Sequence, residues 1–292
     1  MNHPAYNEIT YETANELWDA LSPTRTLFKD PCKLIYRGQA DANWSLTPSL
    51  LRNESTNPNL KFCGKRCTTD QLVFKEVQLL ETFAHYCDSI GIRIPNDSIK
   101  FREKTLSSQV QDIYYRQPNL WPNPELIELM AMAQHHGVPT RLLDWTRQPY
   151  IAMYFAVSSA MANQSAWSKD SMIAIWVLNI ELISLYRDVT VVQVPGSTSH
   201  HVSAQSGLFT VHPHNGNRNE DFEIVGLEHQ FSVLSNTPLL KLRLPVSQVL
   251  TLYHLCLKAG ISAATIYPSA DGAGKAVQDH INASLISLSQ KK

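Results

Sequence analysis

The chain has 292 residues, a length at which one large domain can bury a substantial core. Its formal net charge of -1 gives no overall excess of the kind that drives non-specific binding to nucleic acid or anionic membranes. No apolar run reaches the roughly 20 residues that span a bilayer, and the first residues lack the basic and apolar parts of a signal peptide. We therefore expect a cytoplasmic protein without a membrane partner, folded as a single domain over 1–292.

The first predicted elements are a helix near 13–21 and a short strand over 33–36 that ends at Gly38. Further on, apolar residues recur at helical spacing from Asp70, the predicted N-cap. This helix belongs to an insertion that we place at about 53–124. The last part of the insertion has mixed polarity, so it is a candidate lid.

The middle of the chain has clear helix boundaries. Asn123 and Pro124 are typical of a helix start, and Gly137 is typical of its end. Pro149 opens a second, apolar helix. A continuous run of β-forming apolar residues over 172–180 then predicts a buried strand.

The last third of the chain alternates between strand and helix patterns. Three more strands are expected, at 189–194, at 239–246 with one face buried, and at 261–268. An amphipathic helix over 246–258 and a final helix from about Gly272 complete the pattern. We infer a mixed α+β fold with a core at about 15–285, in which helices flank a central, mostly antiparallel or mixed sheet.

The chain has five cysteines. Because the number is odd and a chain of this size does not need disulfides, we expect free thiols. The spacing of Cys63, Cys67, His85 and Cys87 is a loose match to a zinc set. His85 and Cys87 lie two apart in a predicted helix, so their side chains point about 200° apart. We expect no metal here.

Arg37 is the first candidate site residue, because the YRG segment places a guanidinium at a strand end beside Gly38. Such an arginine can bind phosphate or carboxylate with two parallel hydrogen bonds. The alternative is an internal salt bridge, for example to Asp144. Trp44, shortly after it, is either a core residue or a pocket wall.

The second candidate is a dense polar cluster between two predicted helices. It comprises Gln134, His135, His136, Thr140, Arg141, Asp144, Trp145, Thr146 and Arg147. The same stretch holds Leu142 and Leu143, which a solvated loop rarely contains, so a buried polar network or a binding site is favoured. Asp144 is then either a base or the partner that fixes an arginine. We expect it to be buried and paired with Arg37 or Arg141.

A third group of polar residues contains His200, His201, His212, His214 and Gln205. Two histidines separated by one residue would share a face of a strand and suit a metal, but Pro213 interrupts the pattern. Satisfied polar residues or acid–base groups are the more common roles of such histidines. No metal cofactor is therefore expected.

These segments resemble the FRG domain in order and type. The resemblance rests on Tyr36-Arg37-Gly38, on the QHHGVPTRLLDWT stretch over 134–146 with Pro149, Ala152, Phe155 and Ala156, on AQSGLFT over 204–210, and on 260–268 with Asp271-Gly272. It spans roughly residues 15–285 and departs at Ala270, where a bulkier residue is expected. The resemblance implies a polar pocket but no particular reaction, because the family has no settled activity. Its members resemble components of bacterial and phage conflict systems.

The order of these segments is also similar to the layout of ADP-ribosyltransferases. That weaker resemblance implies that Arg37 holds the phosphate or ribose of NAD and that Gln205 stands where those enzymes have a catalytic Glu. Glutamine carries no negative charge, so Asp144, Glu223 or Glu228 would have to supply it. The candidate catalytic residues are therefore Asp144, Gln205 and His136. The candidate cofactor contacts are Tyr36, Arg37, Gly38, Thr140, Arg141, Trp145 and Thr146.

Three functions fit these residues. The leading one is an NAD-consuming transferase or glycohydrolase, with a nucleotide or NAD-like small molecule as its partner. The second is a sensor that binds a nucleotide or nucleic acid without turnover, and the third is a metal-dependent hydrolase or nuclease. A protein target is a further partner to consider. Whichever applies, we expect Arg37, the 134–146 segment and Gln205 to converge on one concave site, because polar groups this dense must be satisfied together.

Overall fold

A computed structural model describes residues 4–23, 25, 33–52, 67–186, 188–194, 207–233 and 236–289. Its centre is a mixed seven-stranded sheet in the order β1-β7-β4-β2-β3-β6-β5. The strands are β1 (Asn7–Thr10), β2 (Leu34–Gln39), β3 (Leu142–Thr146), β4 (Met172–Asn179), β5 (Thr190–Val192), β6 (Gly207–Val211) and β7 (Leu239–Pro245). Strands β1 and β7 are parallel, and the other pairs are antiparallel. The expected α+β class with a mostly antiparallel sheet is confirmed.

Nine α-helices accompany the sheet in the described part of the chain. They are α1 (Ala14–Ala20), α2 (Thr69–Ser89), α3 (Ile99–Phe101), α4 (Asp112–Arg116), α5 (Ile127–His135), α6 (Pro149–Ala162), α7 (Val249–Lys258), α8 (Ala263–Ile266) and α9 (Ala270–Ser289). Within the described ranges, no helix is both long enough and apolar enough to cross a membrane.

One face of the sheet is covered by α1, α6, α7 and α9. Helix α6 is apolar on nearly all sides, as expected for a helix enclosed between a sheet and other helices. It packs on the β4 residues Ile173, Ile175 and Val177, which belong to the same cluster. This layer forms the largest part of the core.

The other face carries a smaller cluster, which collects Ile35, Trp145 and Trp176 beneath the turn at Leu227–Val233. A further cluster lies on the same face as α6, between α2, α5 and the β3 and β6 strands. It includes Trp121 from the predicted insertion. The 95–124 segment therefore helps to bury α2 and α5.

Strand β7 is buried on both faces, which corrects the expectation of one exposed face. Lys241 at its centre is 6% exposed and lies under two aromatic rings, 5.3 Å from the centroid of Tyr6 and 4.8 Å from that of Trp176. The aromatic faces attract the ammonium group and replace part of its lost hydration. An alternating strand can therefore be covered on its polar face as well.

The helix boundaries follow the sequence signals with two corrections. Asn123 and Pro124 do begin the helical stretch that leads into α5, and Gly137 follows its end with φ +85°. The N-cap of α2 is Thr68 rather than Asp70, because Thr68 and Gln71 form a reciprocal capping box. The predicted strand at 261–268 is wrong. It contains α8, begun by a capping box at Ser262 that outweighs the β-forming residues.

Candidate functional site

A pocket of about 600 Å³ opens where β2 and β3 separate. Strand β2 pairs with β4 along its length but meets β3 at one position, Tyr36 opposite Thr146. Beyond that position the two strands separate, and Gly38 of β2 and Asp144 of β3 both line the cavity. The polar lining comprises Tyr36, Arg37, Gln39, Arg52, Gln134, His135, His136, Asp144, Thr146, Ser159, Tyr267, Ser269, Asp271 and Lys275. The sequence expectation that Arg37 and the 134–146 segment converge is therefore met in the geometry.

Arg37 lies in the gap between the two strands, with a side chain that is only 13% exposed. Its Nη1 donates a hydrogen bond of 2.7 Å to the main-chain oxygen of Asp144, so it links β2 to β3. The nearest carboxylate oxygen, Oδ2 of Asp144, is 3.7 Å away. The buried Nε has no hydrogen-bond partner among the described residues. The positive charge of Arg37 is thus poorly compensated.

The pKa of Arg37 reflects this shortage of negative charge. The pKa is lowered to about 10, mainly by burial and also by the nearby guanidinium of Arg52, against the opposing effect of Asp144. Arg52 also lines the pocket. Its Nε donates to the main-chain oxygen of Thr47 at 2.8 Å. Sequence analysis missed Arg52, because a single arginine after a turn-rich segment gives no signal.

Asp144 is paired but exposed, which corrects the expectation of a buried carboxylate. Its side chain is 64% exposed because it points from β3 into the pocket. Oδ1 accepts a hydrogen bond of 2.7 Å from Nε2 of Gln134. Its arginine partner is Arg37, at the distance given above, and not Arg141.

Gln134 is itself held by Thr140, whose hydroxyl donates to Oε1 of Gln134. The main-chain N–H of Leu142 donates to the same threonine oxygen at 3.2 Å. Thr140 is 4% exposed and does not line the pocket. The structure thus places Thr140 behind Asp144 rather than in direct reach of a ligand.

Arg141 lies away from the pocket, although it was expected to contact a cofactor. It is fully buried and forms a two-armed ion pair with Glu76 of α2, in which Nε is 2.7 Å from Oε2. Its Nη1 donates to the main-chain oxygen of His212 at 3.0 Å, and Nε1 of Trp121 donates to Glu76. Arg141 thereby joins α2 to the sheet and is not available to a ligand.

Residues 32–165 match the family model of the FRG domain. The chain contains an FRG domain. The match includes the YRG segment and the 134–146 segment, whereas Gln205 and the 260–272 segment lie beyond it. No curated protein and no solved structure matches the chain. The resemblance to ADP-ribosyltransferases gains no support from these comparisons.

Trp145 and Thr146 line the pocket and also form hydrogen bonds within the fold. Nε1 of Trp145 donates to the hydroxyl of Thr210 at 2.9 Å, and Thr146 Oγ1 accepts from the N–H of Gln148 at 3.0 Å. Burial raises the pKa of Tyr36 to about 12. These residues form fixed walls of the pocket.

Two glycines, Gly38 of the YRG segment and Gly272 near the start of α9, permit close packing around the pocket. A Cβ on Gly38 would lie 2.0 Å from the main-chain oxygen of Ala152 in α6. A Cβ on Gly272 would lie 1.8 Å from the main-chain oxygen of Tyr267. Gly38 therefore brings β2 against α6, and because it also lines the pocket, its contact with a cofactor stays a prediction.

Of the three acids considered for catalysis, Asp144 alone lines the pocket within the described part of the chain. Glu228 is buried and accepts a hydrogen bond of 2.9 Å from the N–H of Leu46. Glu223 is exposed elsewhere. Gln205 lies outside the described residues, but Gly207, Leu208 and Phe209 of β6 line the pocket just after it.

The histidines divide into two groups. His135 and His136 line the pocket at the end of α5. His212 and His214 are buried near Arg141, and their pKa values are lowered to about 3 and about 2, mainly by burial and also by the charge of Arg141. The described residues contain no group of three or more His, Cys, Asp or Glu side chains arranged to hold a metal ion. In α2, His85 is exposed and Cys87 buried, as helical geometry requires.

The 267–275 segment closes the pocket on the side of α9. Burial raises the pKa of Tyr267 to about 12, with the charge of Asp144 as the next cause. Lys275 Nζ lies 3.9 Å from the centroid of the Tyr267 ring. Asp271 and Gly272 belong to the family resemblance in the sequence, but neither was predicted as a site residue.

Proposed function

We propose that the FRG pocket binds a phosphate-bearing nucleotide, with NAD as the first candidate ligand. The observation that carries this proposal is the buried guanidinium of Arg37, whose charge is poorly compensated at the floor of a pocket. Burying a charge without a close partner costs free energy that an anionic ligand would recover.

The rest of the lining fits the same class of ligand. Arg52 and Lys275 add two cations, and Asp144 and Asp271 add two anions, so with Arg37 the charged lining has a net positive charge. Trp44, 41% exposed at the pocket, offers an aromatic surface on which a base can stack. A pocket of about 600 Å³ falls within the usual range for small-molecule sites.

The reaction that we propose for NAD is cleavage of its bond to nicotinamide, by transfer or by hydrolysis. Such a step develops positive charge on the ribose, and an adjacent carboxylate stabilises it. Asp144 is the pocket carboxylate with the better-defined contacts, and His136 is a candidate acid or base on the pocket wall. The proposed role in bacterial or phage conflict rests on the family resemblance alone.

A sensor that binds a nucleotide without turnover is the second candidate. The exposed face of Trp44 favours it, because stacking requires no acid. Incubating the purified protein with NAD and following nicotinamide release separates the two functions. Nicotinamide release that the Asp144→Asn variant loses indicates catalysis, whereas binding without release indicates a sensor.

Calorimetric titration of NAD, ADP-ribose and ADP tests the binding proposal itself. Arg52→Gln is the informative variant, because Arg52 has an exposed side chain whose loss leaves the strand link through Arg37 intact. We expect its affinity to fall about tenfold, the effect of one charge-assisted hydrogen bond. Arg116→Gln, which removes the same charge from an exposed helical pair with Asp112, should bind like the parent. Absence of binding of all three ligands to the parent would refute the proposal.

A further inference from the structure

The hydrogen-bond chain behind Asp144 has a fixed direction. The N–H of Leu142 can only donate, so the oxygen of Thr140 accepts from it, and the hydroxyl proton is left to reach Oε1 of Gln134. The amide of Gln134 then presents its NH₂ group to Oδ1 of Asp144. Asp144 is therefore held as a hydrogen-bond acceptor in a set orientation.

The carboxylate of Asp144 is not needed to hold Arg37. The short hydrogen bond of Arg37 goes to the main-chain oxygen of Asp144, at 2.7 Å, while Oδ2 is 3.7 Å from Nη1. The side chain remains 64% exposed toward the pocket. Oδ2 is thus an oriented acceptor that the fold leaves open to a ligand.

An oriented acceptor beside a buried cation selects for a particular ligand chemistry. The ligand must present an anion to Arg37 and hydroxyl donors to Asp144 within the same pocket. A phosphorylated ribose has both, and loss of a hydroxyl would leave a partly desolvated carboxylate without its donor.

We propose that Asp144, positioned by Gln134 and Thr140, makes the pocket selective for ribonucleotides over their deoxy counterparts. This inference rests on the proposed nucleotide binding and adds the discriminating residue and its two positioning residues. Gln134 and Thr140 act through Asp144 and do not themselves touch the sugar.

The test compares ADP with 2′-deoxy-ADP and 3′-deoxy-ADP by calorimetry. We expect the parent to bind ADP about tenfold to a hundredfold more tightly than at least one deoxy analogue, the effect of one charged hydrogen bond. In Asp144→Asn that ratio should fall toward one. Gln134→Met, which keeps the length of the side chain but removes the amide, should lower the ratio by several-fold.

Two substitutions of Thr140 distinguish a positioning role from a purely structural one by their effect on the affinity ratio. Thr140→Val removes both hydrogen bonds of the hydroxyl and should lower the ratio, while Thr140→Ser keeps the hydroxyl and should restore it. Asp271→Asn is the matched control, because it removes the other carboxylate of the pocket. It should retain the parental ratio whatever its effect on affinity.

The outcomes separate this inference from the proposed function. Equal affinity of ADP and both deoxy analogues for the parent would overturn the inference and leave nucleotide binding intact. A ratio that follows Asp271 instead of Asp144 would overturn it as well. Absence of binding by ADP, ADP-ribose and NAD would instead refute the proposed function.

Discussion

Two arginines from neighbouring motifs end in opposite environments. Arg37 lies in a pocket with its nearest carboxylate oxygen 3.7 Å away on an exposed side chain. Arg141, fully buried, is enclosed by Glu76 and the main-chain oxygen of His212. Both were candidates for the same ligand on the strength of their sequence context.

The difference lies in the partner that the fold supplies. A guanidinium with a two-armed carboxylate partner has its charge and hydrogen bonds satisfied, so it holds elements together. A guanidinium without one has interactions to offer to a ligand. On this ground the Arg141 region holds the fold together, and the Arg37 region is the one that we propose for binding.

Breaking the Arg141 pair should give the largest effect on stability. In Glu76→Ala the buried guanidinium loses its partner, and the free energy of unfolding should fall by roughly 3–5 kcal/mol. Denaturant unfolding measures this. In the double variant Glu76→Leu/Arg141→Met, no buried charge remains, so the loss should be smaller than in Glu76→Ala.

Asp112→Ala is the control, since it breaks the exposed pair with Arg116 and should cost less than about 1 kcal/mol. If Glu76→Ala were as stable as this control, Arg141 would not hold α2 to the sheet, and the contrast with Arg37 would be lost.

The sequence was sufficient where signals are local. The α5 boundaries follow from Asn123, Pro124 and Gly137, and α6 from its apolar run. The role of Arg141 could not be predicted, because its partner Glu76 lies 65 residues earlier in the chain. Arg52 was missed for the same reason, since only the folded loop brings it to the pocket.

The next largest effect on stability is expected at acidic pH, because His212 and His214 are neutral in the folded protein. Their pKa values of about 3 and about 2 lie below the ordinary 6.5. The unfolded chain therefore binds protons below pH 6.5 that the folded chain does not. Stability is complete above that pH and falls as the pH drops toward 3. The loss is roughly 1.4 kcal/mol per pH unit for each histidine, or about 2 kcal/mol each at pH 5.

Unfolding free energies at pH 7 and pH 5 measure this slope. In His214→Leu the difference between the two pH values should shrink by about the contribution of one histidine. His254→Leu, a change on the exposed side of α7, should keep the parental slope. An unchanged slope in His214→Leu would mean that the region around Arg141 admits water and protons, as the pocket does.

The smallest effect is expected at Gly38, which tests whether the pocket side is also built on packing. A Cβ at this position would meet the main-chain oxygen of Ala152 at 2.0 Å and the nitrogen of Ala156 at 2.7 Å. Neither atom can rotate away as a side chain can, so β2 would have to shift from α6. We expect Gly38→Ala to lower the free energy of unfolding by roughly 1–3 kcal/mol, the usual range for overpacking.

Gly274→Ala is the matched control for Gly38→Ala, because Gly274 lies in α9 and a Cβ there would meet nothing within 4 Å. It should be neutral or stabilise by up to about 1 kcal/mol. Because β2 also carries Arg37, nucleotide affinity should fall together with stability in Gly38→Ala but not in Gly274→Ala. A Gly38→Ala protein that keeps its stability and loses only binding would show that this glycine contacts the ligand directly.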